Sequence, residues 1–125
     1  MTTKEIGDIG EKLAAKFLKK QGYKIKERNI HLSHNEIDII AEDRDYIVFV
    51  EVKTRTSRID DDFRFGVPSS AVDHKKRAHL LEAARSYLKI APSQKQPRMD
   101  VIEVRLDNSQ KLIDINHIRN AYGAK

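Results

Sequence analysis

An α/β fold, a mixed sheet flanked by helices in an α/β/α sandwich, is what the order of elements predicts for this chain of 125 residues. Three observations carry the prediction. Two stretches repeat apolar residues at helical spacing, one at the N-terminus and one ending near Ile90. Five β-rich runs lie between and after them, in the order helix, three strands, helix, two strands. The chain shows no internal repeat and no shift in composition, and its length suits one domain over residues 1–125.

The first helix begins with a capping box, Thr2 followed three residues later by Glu5, and continues through Ile6, Ile9, Leu13 and Phe17. Gly10, Ala14 and Leu18 widen its apolar arc, Asp8, Lys12 and Lys19 lie opposite, and Glu11 falls at the arc's edge. Gly22 ends it. Tyr23 to Asn29 alternates as a half-buried strand, and Ile30 to Asn35, with Ser33 and Asn35, reads as a turn. Glu36 to Ala41 and Tyr46 to Thr54 form a hairpin across Glu42-Asp43-Arg44-Asp45. Asp60 to Pro68 reads as a loop. A second helix starts at Ser70 with Asp73 three later, places Val72, Leu80, Ala83 and Tyr87 on one face, and is closed by Pro92 and Pro97. Met99 to Leu106 and Leu112 to Ile115 are the last strands, joined by a turn at Asn108-Ser109.

Composition narrows the function classes. With no cysteine there is no disulfide framework and no thiolate zinc site, which fits a reducing, cytoplasmic setting. No apolar run is long enough to cross a membrane or to act as an export signal, so a soluble protein without a membrane role is expected. Lys and Arg number 24 against 19 acids, a net charge of +5, which favours polyanions if the excess is gathered on one face.

The hairpin carries the chemistry. Along Tyr46 to Thr54, Ile47, Phe49, Glu51, Lys53 and Arg55 share one face, and Val48, Val50 and Val52 share the other. A run this apolar on both faces is central in its sheet, yet Glu51 and Lys53 enter at its end, where unpaired charge is costly. If Arg44-Asp45 is a two-residue turn, position 38 lies opposite 51 and 36 opposite 53. Asp38 and Glu51 are then neighbouring carboxylates, which repel unless a cation sits between them, and hard oxygen donors without thiolate suit Mg²⁺ or Mn²⁺. The competing reading is ordinary pairing across the strands, Glu36 with Lys53 and Asp38 with Arg55.

These residues resemble the core of the PD-(D/E)XK nuclease superfamily, an Asp on one strand and Glu-x-Lys on the next: here Asp38, then Glu51-Val52-Lys53. More narrowly the chain looks like the YraN-like family of small bacterial proteins, itself similar to archaeal Holliday junction resolvases. The matching stretches run nearly end to end: Gly7-x-x-Gly10-Glu11, Glu36-Ile37-Asp38, Phe49 to Arg55, Phe65-Gly66-x-Pro68, Ala71-Val72 with Lys76, Ala84 with Tyr87-Leu88, Arg98-x-Asp100, and Asn120-Ala121-Tyr122. The superfamily's proline before the Asp is Ile37 here, a frequent variation that leaves the metal chemistry intact. The resemblance implies a restriction-endonuclease-like fold and hydrolysis of phosphodiester bonds. Asp38 and Glu51 would hold the divalent metal with the Val52 carbonyl, and Lys53 would lie near the attacking water. Glu11 matches the acid that resolvases carry on their first helix. Resolvases dimerise, so a homodimer is also left open.

Lys53, a compact cation beside Glu51, suits orienting a nucleophile or offsetting charge on a phosphoryl group; its plain role is an ion pair with Glu51 or Glu36. Lys76 aligns with a family lysine and suits a phosphate contact. Arg55, on the Glu51 face, suits the nucleic-acid backbone, whereas Lys75 and Arg77 read as solvated charge. Asp100 is either a further acid near the site or an edge-strand charge. His31 and His34 with Asn35 lack the surroundings of an HNH nuclease, and His74, His79 and His117 read as surface or satisfied residues. The leading expectation is a metal-dependent nuclease acting on DNA, branched and damaged DNA among its candidate substrates. The alternative is a nucleic-acid-binding module on the same fold without turnover.

Overall fold

The computed structural model describes residues 1–32, 34–56 and 74–122. The elements are α1 (Thr3–Lys20), β1 (Lys24–Leu32), β2 (Asn35–Glu42), β3 (Tyr46–Thr56), α2 (His74–Ile90), β4 (Gln96–Leu106) and β5 (Leu112–Ile118). The expected loop and the start of the second helix, including Ser70, Val72 and Asp73, lie outside the described residues. Among the described residues the strands form one sheet in the order β1-β2-β3-β4-β5, antiparallel except for the parallel β3–β4 pair.

Local chemistry explains the element ends. Thr2 caps α1: its hydroxyl accepts from Glu5 N–H at 3.1 Å, and Glu5 Oε1 accepts from Thr2 N–H at 2.9 Å. Gly22, at φ 97°, lets the chain reverse into β1. In the hairpin, Asp43 Oδ1 accepts from the backbone N–H of Asp45 (2.9 Å) and Tyr46 (2.8 Å), and Asp43 N–H donates to the Tyr46 carbonyl at 3.1 Å. This two-residue turn sets the register Ile39↔Val50 through Glu42↔Ile47.

Three boundaries differ from expectation. β1 does not stop at Asn29; it continues to Leu32, which pairs with Asn35, because Ile30 and Leu32 find apolar partners under α2. Pro97 does not merely close the second helix but lies in the first residues of β4, a position where a missing N–H costs the ladder little. β5 reaches Ile118 rather than Ile115.

Two cores sandwich the sheet. On one face Ala14, Ala15 and Leu18 of α1 pack with Ile39, Val48, Val50, Ile102 and Val104. On the other, Leu80, Ala83, Ala84 and Tyr87 of α2 pack with Ile37, Ile40, Ile47, Phe49 and Val101. This is the three-layer arrangement expected, with β3 central and covered on both sides.

Candidate active site

The site forms where β2 and β3 part. Their ladder runs back from the turn as far as Ile39↔Val50, and the same register carried one step further sets Asp38 against Glu51. There the alternation of β2 breaks. Ile37 packs in the α2-side core and Ile39, two residues on, in the α1-side core. On the neighbouring strand, pairing passes from Arg28↔Ile39 to Ile30↔Ile37, and Asn29 between them takes a φ of 51°. Such a distortion re-aims a side chain. Asp38 consequently borders two cavities, one shared with Glu36, Glu51 and Lys76 toward α2, and another shared with Glu11, Val52 and Thr54 toward α1. The first encloses about 290 Å³.

Val52 N–H, free of the β2 ladder, donates to Asp38 Oδ2 at 2.8 Å. Even so, burial pushes the Asp38 carboxyl up from 3.8 to about 7, and the charges of Glu11, Glu36 and Glu51 add to the shift against that single hydrogen bond. Glu11 is raised as well, first by burial and then by Glu36, with Arg28 and Asn29 partly offsetting; its Oε1 is buried without a hydrogen-bond partner. Gly10 is what brings Glu11 this close. A Cβ there would overlap the Thr54 hydroxyl and stand 2.8 Å from Thr54 Cβ, so only glycine lets α1 settle against β3.

Glu51 is held from three directions. Its Oε1 accepts from the Tyr122 hydroxyl at 3.1 Å, and its Oε2 faces Lys53 Nζ at 3.8 Å and Lys76 Nζ at 3.7 Å. Burial, followed by the Lys76 ammonium, lowers Lys53 below an ordinary lysine, and Arg55 acts in the same direction. Lys53 is thus beside Glu51, not Glu36, and Arg55 extends the positive field along β3. Lys76 reaches the site from exposed α2, whereas Lys75 lies exposed on the same turn and Arg77 Nε donates to the Tyr122 carbonyl at 3.3 Å.

Several residues escaped the sequence reading. Tyr122 stood in a matching stretch but had no role there; His34 and His79 line the Asp38–Glu51 cavity with nothing in their spacing to indicate it. Asp100 is neither an open acid of the site nor an edge charge. It is fully buried on β4, between β3 and β5. Arg98 donates Nε to its Oδ1 and Nη2 to its Oδ2, both at 2.9 Å, Asn120 N–H donates to Oδ1 at 2.9 Å, and His117 Nε2 lies 2.6 Å from Oδ2. Burial pushes Asp100 up, but the bonds from His117, Arg98 and Asn120 outweigh it and hold the carboxyl below its ordinary value. This cluster is structural.

Among the described residues no three His, Asp or Glu side chains already converge on one metal position. A divalent cation needs less. Mg²⁺ is commonly held by one or two carboxylates and keeps several waters. Asp38 and Glu51 offer hard oxygen donors on one cavity, and a bound cation would offset both the burial of the Asp38 carboxylate and the neighbouring charges of Glu11, Glu36 and Glu51. In extended backbone the Val52 carbonyl leaves the strand on the same edge as its N–H, the edge that meets Asp38. The residues fit the group.

Two covering helices, a mixed five-stranded sheet and an Asp, Glu-x-Lys set at its parting strands define a PD-(D/E)XK nuclease-like, restriction-endonuclease-like protein. The chain belongs to the family described as "Uncharacterised protein family UPF0102", whose model matches residues 10–104. It is 46% identical over 121 residues to a UPF0102 protein of Caldanaerobacter subterraneus subsp. tengcongensis, covering 95% of each chain. It is 45% identical over 122 residues to one of Alkaliphilus oremlandii (95% of this chain, 98% of the relative), and 44% identical over 120 residues to one of Syntrophomonas wolfei, with the same coverage. No helix of the described residues is long and apolar enough to cross a membrane.

Proposed function

We propose that this protein is a cytoplasmic, metal-dependent nuclease that hydrolyses phosphodiester bonds in nucleic acid, with DNA as the principal polymer. One observation carries the reading: Asp38 is lodged at the parting of β2 and β3, its carboxyl pushed up to about 7 by burial and by Glu11, Glu36 and Glu51, with Lys53 across the gap beside Glu51. Asp38 and Glu51, with the Val52 carbonyl, would hold Mg²⁺ or Mn²⁺. The bound ion supplies a water of lowered pKa and a Lewis acid for the phosphate.

The chain's own residues do the rest. Val52 N–H orients Asp38 through Oδ2, and Tyr122 orients Glu51 through Oε1. Lys53, held close to Glu51, offers its ammonium to the negative charge that grows on the phosphoryl oxygens. Lys76, exposed at the mouth, and Arg55 along β3 meet backbone phosphates.

A specific observation favours the second reading, a binding module without turnover: Tyr122, Lys53 and Lys76 already engage both oxygens of Glu51. One experiment separates the two. Linear, nicked and four-way-junction DNA and structured RNA are incubated with the protein in Mg²⁺, Mn²⁺ or EDTA, alongside Asp38→Asn and Lys53→Ala. Cleavage that needs metal, is abolished by Asp38→Asn and falls by about 10² to 10³ in Lys53→Ala supports the nuclease. Calorimetry should show Lys53→Ala still binding Mn²⁺, because an ammonium cannot be a ligand. Wild-type protein that binds but cuts no substrate gives the binding module the lead.

A further inference from the structure

The protein's positive charge is not spread evenly. From Lys12 to Lys26 there are six lysines, Lys12, Lys16, Lys19, Lys20, Lys24 and Lys26, and no acid; the other 110 residues carry 18 cations against 19 anions. The whole net charge of +5 therefore belongs to one short segment, and the fold gathers four of its six lysines on the outer face of α1. Ala14, Ala15 and Leu18 turn the apolar face of α1 onto the sheet, so Lys12, Lys16, Lys19 and Lys20 face outward, whereas Ile25 packs in the core under α1 and turns its neighbours Lys24 and Lys26 to the opposite face of β1, the sheet's edge strand. All six are exposed, and among the described residues only Lys26 has an ion pair, to Glu42 at 3.8 Å.

We infer that this outer face of α1 is a docking ridge for the phosphodiester backbone of a nucleic-acid duplex, separate from Lys76 and Arg55 on the other side of the site. Charge density decides the class of partner. At about 1.5 Å per residue, Lys12 to Lys20 spans about 12 Å of helix, a length over which a duplex presents about seven phosphates. A membrane surface is the poorer match, because a helix that binds one inserts its apolar face, and that face of α1 is already buried. The ridge also points somewhere. α1 leads from Lys20 back through Lys12 to Glu11, which lines a cavity with Glu36 and Asp38, so a duplex lying along it runs into the acid cluster. The inference rests on the nucleic-acid reading above but not on turnover.

The test is binding in EDTA, where cleavage is silent. Anisotropy of fluorescent DNA and RNA duplexes of about 20 base pairs is followed across salt for the wild type, for Lys12→Gln/Lys16→Gln/Lys19→Gln/Lys20→Gln, and for an equal-charge control, Arg44→Gln/Arg85→Gln/Lys89→Gln/Lys111→Gln. The ridge variant should lose on the order of 10²-fold in affinity at 0.1 M salt, and its log–log salt slope should fall by about 3 to 4, whereas the control slope changes by less than about 1. In the wild type, bound duplex should protect Lys12, Lys16, Lys19 and Lys20 from acetylation, a readout that stands even if the variant folds poorly. A preserved slope, unprotected lysines, no duplex binding, or capture of anionic vesicles in place of duplex overturns the inference. Wild-type protein that binds through these lysines and never cuts leaves it intact while refuting the nuclease, and normal cutting with unprotected lysines does the reverse.

Discussion

Replacing Asp38 by Asn isolates the electrostatics on which the candidate site depends. The amide keeps an oxygen to accept from Val52 N–H, so the change removes charge with little change of shape. The folded-state carboxyl is raised from 3.8 to about 7. The folded state therefore holds its proton more tightly than the unfolded one, and stability falls as pH rises from about 4 through about 7. At about 1.4 kcal/mol per unit, the ionised carboxylate costs the metal-free fold at most about 4 kcal/mol above pH 8. At about 4 °C per kcal/mol for a chain of this size, Asp38→Asn should melt as much as about 15 °C above the wild type at high pH in EDTA, and the gap should close below about pH 4. Adding Mg²⁺ should narrow the gap from the wild-type side, by about 2.7 kcal/mol at a hundredfold excess over its Kd. Thermal melts across pH, with EDTA and with Mg²⁺, read all three effects. Equal melting temperatures at high pH in EDTA, or a gap that does not vary with pH, would refute the burial and neighbouring charge argued for Asp38.

Gly10→Ala should destabilise the protein by about 1 to 3 kcal/mol, because the new methyl overlaps Thr54, whereas Gly7→Ala, with open space around it, should be neutral or stabilising by up to about 1 kcal/mol. Thermal or urea melts of the two alanine variants check the contrast. Asp100→Ala should cost about 3 to 5 kcal/mol, since it strands Arg98 in a site where the guanidinium is mostly covered. Because the Asp100 carboxyl is held below its ordinary value, its contribution is present above about pH 4 and is lost as pH falls through the folded-state value. The penalty in Asp100→Ala should therefore shrink in acid, as melts from neutral pH downward would show, while Mn²⁺ binding measured by calorimetry on folded protein stays near wild type.

What the sequence by itself determined is whatever lies within a few residues of its cause. The Thr2–Glu5 box starts α1, Gly22 ends it, and the Asp43 side chain closes a two-residue turn whose register brings Asp38 to Glu51. These interactions are made between near neighbours, so their spacing is written directly in the chain. The central position of β3 was legible for a similar reason, because a strand apolar on both faces must be covered twice.

Other features were decided only by the tertiary structure. The facing of β2 switches at Asp38, beside Asn29 at positive φ, so simple alternation, which set Asp38 on one face with Glu51, did not show that Asp38 also borders the α1-side cavity with Glu11. Tyr122 reaches Glu51 across 71 positions, and His117, Arg98 and Asn120 enclose Asp100 from β4, β5 and the segment after it. Gly10 is a helix residue of no particular meaning until Thr54 arrives against it. Each depends on two distant segments meeting in space. Packing sets that meeting through the burial of both cores, and no local pattern encodes which side chains will face each other once the sheet twists and the helices settle on it.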